Sequence, residues 1–86
     1  MSLEEVRREI DVIDAQIVAL LGQRQPLVLQ AAQFKRDAPK RRAEMAARLT
    51  ELAEEHGLAP KLVLSVFDTM VDEFIEIQRQ HHAVGQ

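Results

Sequence analysis

The sequence predicts an all-α fold, a three-helix protomer whose long first helix calls for a second copy of the chain. Three observations carry that reading. Apolar residues recur at helical spacing from Leu3 to Phe34 with no strong turn signal between them. Two further helical stripes follow, parted by His56-Gly57-Leu58-Ala59-Pro60. Apolar residues reach 47%, mostly Leu, Val, Ile and Ala, which favours helices over disorder.

The first helix opens at Ser2 with Glu5, the pattern of a capping box. Leu3, Ile10, Ile17, Arg24 and Ala31 fall on one heptad position; Val6, Ile13, Leu20, Leu27 and Phe34 fall on the other. Gly22 and Pro26 interrupt the run, and proline predicts a kink by removing an amide donor beside the Gly22 carbonyl. The seam continues past it, so one helix is expected from Leu3 to about Arg36, ~50 Å long. A globule of this chain length would be only ~30 Å across, so the seam needs a partner, most simply a second protomer.

The second helix is expected from about Pro39 to His56, with Met45, Leu49 and Leu52 inward and Gly57 as its stop. Pro60 suits the first turn of a third helix running to about His82, with Val63, Phe67, Met70, Val71 and Phe74 inward. The reading is of one domain over residues 1–86, too small for a second core.

Charge and composition narrow the function. A net charge of −3 with neither Tyr nor Trp argues against a nucleic-acid-binding module, despite the basic cluster Lys35, Arg36, Lys40, Arg41 and Arg42. With zero Cys there is no disulfide framework and no thiolate metal site. His56, His81 and His82 do not converge at metal-ligand spacing. No apolar run approaches membrane-spanning length, so the expectation is a cytoplasmic protein with no membrane partner.

The informative residues are polar ones on apolar stripes. Arg24 sits in the seam, and Lys35, eleven residues on, projects from nearly the same face. Arg41 precedes Met45 and Leu49, and Gln78 continues the stripe of Phe67, Met70 and Phe74. An inward cation without counter-charge is costly, and no carboxylate is patterned to face these three; Asp68 and Asp72 read as solvent-facing. Two Arg and one Lys suit a dicarboxylate ligand. A helical dimer with no ligand, its polar seam residues fixing register, is the bland alternative.

The order of these residues resembles a known family. Val6 to Asp14, Leu20-Leu21-Gly22-Gln23-Arg24 and Phe34-Lys35 look like the first helix of the all-α (AroQ-class) chorismate mutases, the chorismate mutase type II fold. Arg41 with Glu44, Met45 and Leu49 resembles the family's second helix; His56 to Pro60, Val66-Phe67 and Gln78 resemble its end and the third. The resemblance implies an intertwined homodimer with shared active sites, no cofactor and no metal. It places Arg7 on a carboxylate in the partner's site, Arg24 and Arg41 on carboxylates in their own, and Lys35 and Gln78 beside the ether oxygen. The reaction implied is the Claisen rearrangement of chorismate to prephenate in aromatic amino acid biosynthesis.

Two positions depart from the family's mutases. Arg42 stands where a Glu usually contacts the ring hydroxyl, and Phe74 where a Ser usually precedes the glutamine by one turn. Both lean towards the isochorismate-pyruvate lyases, which share the scaffold and yield salicylate and pyruvate. An amino analogue of chorismate is a third substrate left open. Between Lys35 and Arg41 lie only Arg36 to Lys40, shorter than the family's loop. The expectation is that a stretch is missing from the sequence there, which an intact mass matching 86 residues would contradict.

Overall fold

The computed structural model describes residues 1–34 and 38–84, with side-chain surroundings omitted for Ala38 and residues 81–84. Its described elements are three α-helices: α1 (Leu3–Ala32), α2 (Ala38–Glu55) and α3 (Pro60–Val84). The all-α expectation holds. The chain divides into two units, Met1–Arg36 and Asp37–Gln86.

The first unit is built on α1. Ser2 is its N-cap: the Oγ accepts from the Glu5 amide at 3.2 Å, and the Ser2 carbonyl accepts from the Val6 amide at 3.1 Å. The helix runs through Pro26 without a break. It ends at Ala32 instead of the expected Arg36. Gln33 and Phe34 tighten the last turn by donating to the carbonyls of Gln30 and Ala31, at 3.2 and 3.1 Å. Thirty residues still make a rod ~45 Å long.

None of those residues is buried. The apolar seam of Leu3, Val6, Ile10, Ile13, Ile17, Leu20 and Leu27 is exposed throughout, from 37% at Val6 to 64% at Leu27. Phe34, at the end of the same stripe, is also exposed. In water so continuous an apolar stripe is costly and marks a surface for association.

The second unit is a helical hairpin. α2 stops at a Schellman turn: Leu58 donates to the Ala53 carbonyl at 2.8 Å and Gly57 to that of Glu54 at 3.2 Å. Gly57 has φ +71°, a left-handed conformation that glycine enters without Cβ strain. Pro60 then opens α3, where its missing amide donor is no loss, and the Ala59 carbonyl accepts from Leu62 at 3.0 Å.

Leu49 and Ala53, 5% and 2% exposed, form the buried centre of this unit. Around them the expected residues Met45, Val63, Phe67, Met70, Val71 and Phe74 are partly buried. Leu52 differs, lying exposed at the edge of the contact. Ala53, one residue on, takes the inward place, since a small side chain lets the two backbones approach. Arg41 was expected on the inner stripe and is exposed instead. It lies in the first turn of α2, where a long stem carries the guanidinium to water.

Candidate functional site

On α1, Arg7 is exposed and Arg24 is partly buried. Seventeen residues separate them, ~25 Å along the axis and ~100° around it, so one ligand cannot bridge both within a single helix. Arg24 is not an isolated cation, because it has an interaction of its own. Its surroundings combine a guanidinium with exposed apolar neighbours, Ile17 and Leu20 one or two turns before and Leu27 just after.

On α3, Phe74 and Gln78 lie one turn apart and are both partly buried, as the continued stripe requires. An amide at the end of an apolar face can donate to an ether oxygen while its own stem stays packed. Phe74 fills the neighbouring position with a flat apolar surface. Arg41 and Arg42 stand in the opening turns of α2. Lys35, together with the junction to α2 where a missing stretch was expected, lies outside the described residues.

Arg42 makes the most specific polar contact of the hairpin. Its Nη2 donates to Asp72 Oδ1 at 3.2 Å and to Asp68 Oδ1 at 3.5 Å. The hydrogen bond to Asp72 raises the guanidinium pKa, desolvation opposes it, and the charge of Asp72 with the hydrogen bond and charge of Asp68 add to the rise.

The reading of Asp68 and Asp72 as merely solvent-facing is thus incomplete. They are exposed, yet they share a partner. Their four-residue spacing puts both on one face of α3, beside the inward Val71 and Phe67, and that spacing was the available signal. What the sequence could not supply was the register of α2 against α3. Arg42 and Asp68 also flank an open apolar depression lined by Met45, Leu49, Leu64 and Phe67.

Among the described residues no group of three His, Asp or Glu is placed to hold a metal ion. Among them, too, no helix is long and apolar enough to cross a membrane.

The chain matches a family model and several known proteins. The family model described as chorismate mutase type II matches residues 6–79. A chorismate mutase of Methanocaldococcus jannaschii is 26% identical over 92% of this chain and 86% of its own length. An isochorismate pyruvate lyase of Pseudomonas aeruginosa is 36% identical over 88% of this chain and 80% of its own. A 4-amino-4-deoxychorismate mutase of Streptomyces pristinaespiralis is 25% identical over 96% and 69%. No solved structure gives a significant match.

Proposed function

Because the chain belongs to the chorismate mutase type II family, we propose that it rearranges chorismate to prephenate as an intertwined homodimer with shared active sites. Arg24 carries this reading. It is a partly buried cation in a helix seam whose apolar members are all exposed. When a second α1 covers that seam, the guanidinium is enclosed in a largely apolar interface. A substrate carboxylate then meets it where water competes least.

The rest of the site follows from the chemistry. Two carboxylates clamped by Arg24 and Arg41, with Arg7 reaching in from the partner protomer, select the compact conformer in which the reacting carbons meet. As the ether C–O bond breaks, negative charge grows on its oxygen. Lys35 and Gln78 donate to that oxygen, stabilising the transition state more than the ground state. The electrons move in one cycle, so no side chain needs to act as nucleophile or base. One domain over residues 1–86 and a cytoplasmic address belong to the same reading.

A second reading has an observation of its own. Arg42 replaces the carboxylate that would meet the ring hydroxyl, and its guanidinium is engaged by Asp68 and Asp72. A site without that carboxylate, lined by Phe74, favours a ring whose hydroxyl lies elsewhere. That describes an isochorismate-pyruvate lyase. Purified protein incubated separately with chorismate and isochorismate separates the two. Prephenate as the main product supports the mutase; salicylate with pyruvate and little prephenate transfers the assignment to the lyase. Turnover of neither by a folded dimer contradicts both.

A further inference from the structure

α2 begins with a cluster of cations. Its first turn holds no acidic residue, Lys40, Arg41 and Arg42 follow one another across its first two turns, and Asp37 is the one acid in the sequence just before it. The free amide groups at a helix N-terminus already present partial positive charge, so these cations oppose the helix end and each other. Left alone, such a start would fray, and an arginine on a fraying turn has no fixed direction.

The compensation comes from α3. Asp68 and Asp72 stand one turn apart, like charges that repel on one helix face. Arg42 reaches both, at 3.5 and 3.2 Å, so one guanidinium relieves the repulsion on each helix. All three groups are exposed, but the contact joins the second turn of α2 to the middle of α3, with the single nitrogen Nη2 reaching both carboxylates.

We infer that Asp68 and Asp72 are positioning residues for Arg41: by drawing Arg42 onto α3, they hold the cation-rich start of α2 helical and leave Arg41 as the arginine that meets substrate. Consecutive helical residues point ~100° apart, so holding this turn helical sets the direction in which the Arg41 side chain leaves the backbone. The inference rests on the proposed role of Arg41 at a substrate carboxylate.

The test compares the wild-type protein with Asp68→Asn/Asp72→Asn, Arg42→Lys and Arg41→Ala. Hydrogen exchange is read at the amides of residues 42 to 45, and kcat and KM are measured with chorismate and with isochorismate. In the double Asn variant, exchange at residues 42 to 45 is expected to accelerate while residues 64 to 71 of α3 keep their protection. KM is expected to rise about three- to tenfold with kcat changed less than about twofold. Arg42→Lys, which keeps the charge on a side chain of different reach and without the planar guanidinium, is expected to fall between. A loosely folded variant would instead lose protection throughout α3 and lose kcat in proportion to its unfolded fraction.

Unchanged exchange at residues 42 to 45 overturns the inference whatever the activity. Faster exchange with an unchanged KM, where Arg41→Ala raises KM, overturns the positioning role and leaves the site assignment standing. If Arg41→Ala also leaves KM unchanged, the assignment of Arg41 itself fails, and the inference with it.

Discussion

Arg42 donates to Asp72 Oδ1 at 3.2 Å, tying the second turn of α2 to the middle of α3 at a position where the family's mutases usually carry a glutamate. If a glutamate belongs there, Arg42 reverses the charge beside Arg41, and it has its counter-charge within the hairpin. Restoring a glutamate there would set three carboxylates against one another. Arg42→Glu alone is therefore expected to loosen the start of α2 and lower activity, and Arg42→Glu/Asp68→Asn/Asp72→Asn to recover it. In the triple variant the ratio of prephenate to salicylate rises over wild type if the glutamate reads the ring hydroxyl. Chromatography of products from the two substrates, beside circular dichroism of both variants, checks this.

Gly57 closes α2 at φ +71°, and a Cβ built there meets nothing within 4 Å. The cost of Gly57→Ala is then backbone strain alone, about 1–2 kcal/mol. A lowered urea midpoint with an unchanged slope is the expected result.

Leu49 is the large side chain at the buried centre of the hairpin. Leu49→Ala is expected to destabilise by about 2–3 kcal/mol, near the lower end for core leucines because an open helix pair can partly collapse. Ala53→Leu at the tightest point is expected to cost about 1–3 kcal/mol by forcing the helices apart. Thermal unfolding of the two variants measures both.

The seam of α1 is expected to be the dimer interface. Ile13→Asp places a charge in the middle of an apolar stripe that has no buried residue in the single chain. Sedimentation velocity is expected to show a shift from dimer to monomer, with loss of activity. A variant that stays dimeric and active would remove α1 from the interface.

Local signals in the sequence specify the helix ends. Ser2 with Glu5, Gly57 and Pro60 each act within a few residues, so their capping roles needed no knowledge of tertiary structure. The apolar stripes of α2 and α3 were legible for the same reason, because a period of 3.6 residues is a property of one helix. The places of Ala53 over Leu52, of exposed Arg41, and of Asp68 and Asp72 opposite Arg42 depend on how two helices register. Nothing within either helix specifies that offset. The candidate site divides likewise: Phe74 and Gln78 follow from one stripe, whereas the partner of Arg42 came only with the hairpin.

In the proposed homodimer each active site is assembled from Arg7 of one protomer and Arg24 of the other. Mixing Arg7→Ala with Arg24→Ala protein under conditions that exchange subunits tests it directly. Each parent is expected to be nearly inactive. A mixed dimer keeps one site with both arginines intact, so an equal mixture should recover about a quarter of wild-type activity, as random pairing of a two-fold dimer requires. If the mixture stays as inactive as its parents after exchange is shown complete, the two arginines do not meet across the dimer and the shared-site account is wrong.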